Sequence, residues 1–443
     1  MHQTHPLREV IDLTDPARNI LFNLSLEEAR RRVAGGDPKE IEGIDGSFAL
    51  VARRGEVVRM VRSLSVPMRY FIVKRADGPA LVVAHRIDAI AQWLQHAGFA
   101  EQFHPTYTRM VPAHYLVDIA LVGCPDPNPR YVRYFTPQRE ALPPDRTEIG
   151  ARYITAVAEG IDKWLQQLPK HEPIGVCFSG GIDSGAVFLL TYHAMLRLGL
   201  NPSRLKAFTL CVNGQGPDRD QARRFLEALD LQLFHEPIDV PAEWIDYQES
   251  VRVVEDYKPL DIQAGAMLLA LCRGIRERYP QWRYLIDGDG GDENLKDYPI
   301  EENPELTIRS VLNNRLLYHE GWGVESIKHS LVYSGGLSRG CTRTYAPASA
   351  LGLQGFSPFM LRSVVEVAEG IPFIAMTDWR HDRLYSLKGE IVSAGVKAVT
   401  GWDMPVFEKR RFQHGSAAED ALASRLPESE DAYRRAFQEA FCA

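Results

Sequence analysis

The alternation of strand-like and helix-like segments between residues 174 and 286 constrains this chain more than any other feature. Residues 174–178 form a short apolar run of the buried-strand type, and 205–212 and 283–286 read the same way. Helical segments fill the intervals at 184–198, 218–229 and 263–279. Strands that alternate with helices pair in parallel, so the pattern predicts an α/β fold built on a doubly wound parallel sheet. Just upstream, Ile149, Tyr153, Val157, Ile161, Trp164 and Leu168 recur every three or four residues. They predict a long amphipathic helix that opens this part of the chain.

The preceding part reads differently. Residues 48–52 and 57–61 flank Arg53-Arg-Gly-Glu56, and residues 70–73 and 80–84 flank Ala76-Asp-Gly-Pro79, two hairpin patterns. A helix is expected at 87–96 and two more strands at 115–118 and 131–134. Breaker-rich stretches follow at Cys124-Pro-Asp-Pro-Asn-Pro129 and Leu142-Pro-Pro-Asp145. The chain therefore divides into a smaller β-rich domain over 1–140 and an α/β domain over 147–443.

Two motifs carry the chemistry. Phe178-Ser-Gly-Gly-Ile-Asp-Ser184 joins an expected strand to an expected helix. Its glycines let backbone N–H groups converge beside a helix N-terminus, which suits a phosphate or pyrophosphate. Asp183 is a poor neighbour for bare phosphate and points to an intervening Mg²⁺. A tight turn alone would use Gly180 and Gly181 for positive φ but would need neither the hydroxyl pair nor the carboxylate. Asp287-Gly-Asp-Gly-Gly-Asp-Glu293 follows a second expected strand. Its four carboxylates repel one another and call for a cation. A solvated acidic loop or an isolated Ca²⁺ site is the alternative, although the spacing departs from an EF-hand loop.

Composition narrows the classes. The 58 acidic against 51 basic residues give a net charge of −7, which argues against a broad hold on nucleic acid. The six cysteines (Cys124, Cys177, Cys211, Cys272, Cys341, Cys442) include no CxxC pair, which argues against a disulfide scaffold or a thiolate zinc site. No apolar run approaches the roughly 18 residues of a membrane span, and no signal-peptide pattern opens the chain. A cytoplasmic protein is the expectation, without membrane or nucleic-acid partners.

SGGIDS resembles the pyrophosphate-binding loop of the ATP pyrophosphatase (PP-loop) superfamily, whose members split ATP between the α and β phosphates. It lacks the Gly-Lys-Ser/Thr end of a Walker A loop. Followed by DGDGGDENLKDY, it resembles the synthetase domain of asparagine synthetase and its relatives, the β-lactam and carbapenam synthetases and lasso-peptide cyclases. The resemblance implies ATP and Mg²⁺ as cofactors. By that match Ser179, Gly180, Gly181, Ile182, Asp183, Ser184 and Gly288 surround the nucleotide, and Asp183 and Asp292 hold the metal. Asp289 stands where the family usually has Glu beside the substrate. The stretch around Leu210 and Val212 resembles the adenine-binding strand, and 357–373 the substrate-pocket region. Lys409-Arg-Arg-Phe-Gln-His-Gly415 resembles a Lys-x-x-Phe-x-x-Gly segment whose lysine contacts pyrophosphate, so Lys409 is expected to stabilise developing charge. Lys388, Arg410 and Arg411 are weaker candidates, with a solvated or structural role as the favoured alternative. Tyr345 and Glu366 are candidates for the family's Tyr–Glu base pair, with a buried core tyrosine as the alternative.

Gly43-Ile-Asp-Gly-Ser-Phe-Ala-Leu50, residues 62–70 and Met110-Val-Pro-Ala-His114 resemble the latter part of the family's glutaminase domain, an Ntn-hydrolase-like fold. Glutamine-dependent members use a cysteine as the mature first residue, where its own α-amine activates the thiol. Here His2 follows Met1, so a shortened domain without glutamine hydrolysis is expected. The resulting expectation is an AMP-forming ligase. It adenylates a small-molecule carboxylate and passes it to an amine, from a second molecule or from the same bifunctional substrate. A PP-loop sulfur-transfer enzyme, with Cys341 as its tempting thiol, and a non-catalytic ATP-binding scaffold are the other readings. Assembly into a homo-oligomer is left open.

Overall fold

The computed structural model describes residues 9–120, 129–214, 216–296, 344–407, 422 and 425–441. Residues up to Thr136 form most of one compact unit, and residues from Pro137 most of a second.

The first unit contains β1 (Glu9–Asp12), β2 (Ile20–Leu21), α1 (Leu26–Gly35), α2 (Pro38–Glu42), β3 (Gly46–Ser47), β4 (Ala49–Arg54), β5 (Val57–Arg62), β6 (Arg69–Val73) and β7 (Ala80–Ala84). It continues with α3 (Ile87–His96), β8 (Arg109–Met110), β9 (Tyr115–Ala120) and β10 (Arg130–Arg133). Two four-stranded sheets result, in the orders β1-β7-β6-β8 and β10-β9-β5-β4. Both expected hairpins form, β4 with β5 and β6 with β7. Gly55 turns the first at φ +61°, a conformation glycine adopts without steric cost. α3 lays Ile90 and Leu94 against Phe71, Val73 and Val82. The unit also has features that its sequence did not suggest. β1 pairs in parallel with β7, and α1 is capped by Ser25, whose hydroxyl accepts from Glu28 N. Arg62 is buried, and its guanidinium donates to the carbonyls of Val111, Ser63 and Leu64.

The second unit opens with α4 (Arg146–Gln167), N-capped by the Asp145 carboxylate. It continues with β11 (Ile174–Cys177), α5 (Ile182–Arg197), β12 (Leu205–Val212), α6 (Pro217–Glu227), β13 (His235–Val240), α7 (Tyr247–Val254), α8 (Pro259–Arg278), β14 (Tyr284–Ile286) and α9 (Gly291–Asn294). The described residues then resume with α10 (Tyr345–Ala350), β15 (Gln354–Phe356), α11 (Arg362–Glu369), α12 (Phe373–Thr377) and α13 (Leu384–Thr400). All five strands pair in parallel, in the order β13-β12-β11-β14-β15. This is the expected doubly wound α/β sheet. Leu210, Val212, Ile238 and Val240 of β12 and β13 pack against Met267, Leu271 and Ile275 of α8.

The sheet grows outward from its middle. From β11 the chain moves to β12 and β13 on one side, then crosses back to β14 and β15 on the other. The strand order therefore reverses between β11 and β14. Doubly wound sheets bind ligands at such a reversal, beyond the C-terminal ends of the strands, because the two neighbouring loops diverge there. On one face α13 lies against α4 at close range. A Cβ on Gly150 would meet the backbone of Ile391 and, at 2.9 Å, the nitrogen of Gly395. Glycine at both positions is what lets the helices touch through their backbones.

Candidate active site

Both sequence motifs sit at this reversal. The 178–184 loop leaves β11, and the 287–293 loop leaves β14 beside it. Gly180 takes φ +72°, and a Cβ there would come within 2.9 Å of the Ala222 backbone in α6. Gln221 of the same helix donates to Ser179 O at 3.3 Å, which ties the loop down. α5 starts at Gly181 with no capping side chain, so its first-turn N–H groups face outward with the helix dipole behind them. Within the loop, Ser184 Oγ accepts from Ser179 N, and Ser179 Oγ accepts from Gly181 N, both at 3.3 Å. These are long bonds, and phosphate oxygens would compete with them well.

The acidic loop is pressed against the start of α5. A Cβ at Gly288 would lie 2.9 Å from Asp183 Cβ, and one at Gly291 would collide with the Asp183 carboxylate. Glycine at these places brings Asp183 and Asp292 to a common point, and that point is occupied by the ammonium of Lys388. Its Nζ donates to Asp183 Oδ2 at 2.5 Å and also to Asp292 Oδ1. The lysine side chain is 2% exposed, whereas those of Asp183 and Asp292 are 19% and 28% exposed. Lys388, only a weaker candidate in the sequence, thus lies within the carboxylate cluster itself. Its signal lay in the helix period: it shares the apolar stripe of α13 with Leu384, Ile391, Val392 and Gly395.

Below this cluster the ring of Tyr153 from α4 stacks on Phe359, and its hydroxyl accepts from Asn294 Nδ2. Burial pushes the Tyr153 phenol well above its usual range. Asn294 also donates to Phe359 O at 2.8 Å, so the one-turn helix that presents Asp292 is fixed from beneath. Asp287 accepts from Ser357 Oγ at 2.7 Å and from Asp289 N at 2.9 Å. It is buried, and burial, then the charge of Asp289, raises its pKa well above the usual carboxylate range. Asp289 in turn accepts from Thr344 N at 3.1 Å, immediately before α10.

β12 forms a further edge of the cleft. Phe208 O accepts from Phe178 N, so alternate residues beyond it, Leu210 and Val212, direct their backbone groups to the same side. β11 ends opposite Phe208, and those groups therefore edge the cleft while their side chains fill the core.

The remaining expected residues are less closely drawn together. Lys409, with Arg410 and Arg411, lies outside the described residues, as do Cys341 and the 334–340 segment. Phe407, two residues before Lys409, receives a hydrogen bond from Tyr385 Oη at 2.6 Å, and the Arg224 guanidinium lies over its ring. Tyr345 is half-buried at the start of α10, and Glu366 is exposed on α11. Among the described residues no hydrogen bond joins them. A buried pair that sequence reasoning overlooked is Lys296 with Glu369, 3.1 Å apart, with Arg139 on the other carboxylate oxygen at 3.3 Å.

The donor set fits a hard divalent cation. Asp183 and Asp292 offer oxygens alone and already converge on one positive charge. Among the described residues no group of three metal-binding side chains exists; two convergent carboxylates are a donor set that Mg²⁺ can take together with substrate phosphates. Among the same residues no helix is long and apolar enough to cross a membrane.

Comparison with known proteins agrees with this geometry. Residues 162–330 match the asparagine synthase family model. Glutamine-hydrolysing asparagine synthetases are similar over about half of the chain. That of Asparagus officinalis is 27% identical over 213 residues, 47% of this chain and 33% of the relative. Asparagine synthetase 2 of Lotus japonicus is 28% identical over 212 residues, and the enzyme of Zea mays 26% over 215, with the same shares covered. The matched region thus spans about a third of the length of these relatives.

Proposed function

We propose that this chain, whose residues 162–330 match the asparagine synthase family model, is an ATP-dependent ligase that forms an amide by way of an acyl-adenylate. In the first step a substrate carboxylate oxygen attacks the α-phosphorus of ATP, the α–β bridging bond breaks, and pyrophosphate leaves. In the second an amine nitrogen attacks the acyl carbon, a proton is lost from nitrogen, and AMP departs with the bonding electrons. Adenylation is needed because a carboxylate oxygen is a poor leaving group and AMP a good one.

The observation that carries the reading is the meeting of the two loops at the sheet reversal, with Asp183 and Asp292 on one cationic point. The uncapped start of α5 and the Ser179–Ser184 loop bind the β and γ phosphates, and the backbone of Leu210 and Val212 meets the adenine edge. Asp183 and Asp292 would hold Mg²⁺, which supplies charge neutralisation on the phosphates. Asp289, fixed by Thr344 N, faces the substrate, and Lys409 stabilises the departing pyrophosphate. The catalytic contribution is placement and electrostatics, the terms that dominate such transfers.

The described thiols lend no support to sulfur transfer or to glutamine hydrolysis. Burial pushes the Cys211 thiol up to about 11 and Cys272 up to about 12, and raises Cys177 well above its usual range. Such groups are poor nucleophiles at neutral pH. In this reading the nitrogen comes from an amine substrate directly. Incubation with ATP, Mg²⁺ and a metabolite extract should release pyrophosphate and yield a product lighter by one water than its precursors. Asp183→Asn or Asp292→Asn should slow release at least about a hundredfold. Unchanged release in both variants refutes the site.

A further inference from the structure

The carboxylates at the centre of this site are neutralised by a cation that the chain itself supplies. Lys388 Nζ lies between Asp183 and Asp292, almost wholly enclosed, while both carboxylates keep a face toward the cleft. An ammonium so enclosed persists only with its charge compensated, and two carboxylates so close persist only with a cation between them. Its placement is rigid. Lys388 projects from a helix held backbone-to-backbone against α4 at Gly150 and Gly395, and Asp292 sits on a turn pinned through Asn294 to Tyr153 and Phe359.

Resting on the reading of Asp183 and Asp292 as the metal pair, we propose that Lys388 is a resident counter-ion that competes with the divalent cation for these two carboxylates. In nucleotide-free protein the ammonium holds the pair together and repels an incoming divalent ion. When the ion arrives bound to ATP, the phosphates bring enough negative charge for ammonium and metal to coexist, and the carboxylates transfer to the metal. The device makes metal entry conditional on nucleotide. Lys388 is thus a positioning residue, and its predicted signature is a metal affinity, separate from turnover.

The test is Mn²⁺ titration of the full chain without nucleotide, read by electron paramagnetic resonance of the free ion. Wild type should bind weakly. Lys388→Met, and Lys388→Gln as a second variant, should bind at least about tenfold more tightly. Adding Asp292→Asn to Lys388→Met should abolish the gain, and Mg²⁺ should raise the melting temperature of the single variants but not of wild type. A variant that folds only in millimolar Mg²⁺ supports the proposal equally, since the ion then replaces the ammonium. Mn²⁺ affinity equal to wild type in either folded variant overturns it, as does failure of both to fold even with Mg²⁺. Pyrophosphate release by wild type reports on the ligase reading independently, so the two can fail separately.

Discussion

At the scale of single residues the site is a problem in like charge. Asp183, Asp287, Asp289 and Asp292 crowd the ends of two neighbouring strands, and their charge is handled in three ways. Asp183 and Asp292 share the Lys388 ammonium, and Asp289 accepts a backbone N–H. Asp287 lies deepest, and burial keeps it inclined to stay protonated. Its folded pKa is raised above the unfolded value. The stability it contributes is therefore fully present below the ordinary carboxylate range and is lost as pH climbs through the raised value. Asp287→Asn keeps an oxygen for Ser357 and Asp289 N while removing the titration. Thermal melts of wild type should decline from acid to neutral pH more steeply than those of Asp287→Asn; parallel curves would disprove a buried titrating carboxyl. Lys388 shows why part of this was hard to read in advance. A lysine in a helix is ordinarily solvated, and only its place on an apolar stripe marks it as buried. The partners it meets there come from segments 96 and 205 residues away.

At the scale of elements the legible parts were those whose burial is uniform. β11, β12 and β14 are mostly apolar and almost wholly buried, as strands of a parallel sheet between helices are, and they were evident as short hydrophobic runs. β13 was not. It reads His-Glu-Pro-Ile-Asp-Val and contains Pro237, which a central strand would not tolerate and an edge strand can. β1 escaped notice for a related reason, being a short, half-exposed strand at a sheet edge. The close α4–α13 contact was equally invisible, since Gly150 and Gly395 lie 245 residues apart and neither interrupts its helix pattern. That contact sets the position of Lys388. Gly150→Ala should therefore cost about 1–3 kcal/mol of stability in urea unfolding, because the backbones can only separate to admit the methyl. A loss near zero would mean that the helices adjust freely and do not fix the ammonium.

For the whole molecule, the division of labour is uneven. Every residue placed at the site belongs to the second unit, and the first contributes β-rich structure with Arg62 consumed by its own backbone carbonyls. Of the described cysteines Cys211 and Cys272 are buried and Cys177 partly so, and burial raises all three thiols, so none of them is a ready nucleophile for glutamine hydrolysis. Incubation with glutamine, with and without ATP, should release no glutamate above the protein-free rate; steady release would show a nucleophile that lies outside the described residues. The motifs were legible because the phosphate and metal binding proposed for them demands particular residue types in order. The surroundings of the acidic loop were not legible, because Thr344 and Ser357 reach Asp289 and Asp287 from distant segments.

The central claim, that these two loops activate a carboxylate by adenylation, is tested most directly by the fate of the nucleotide. Phosphorus NMR of the full chain turning over ATP and Mg²⁺ with its substrates should show AMP and pyrophosphate appearing in equal amounts. Appearance of ADP and orthophosphate instead would place the cleavage at the γ phosphate and contradict the account.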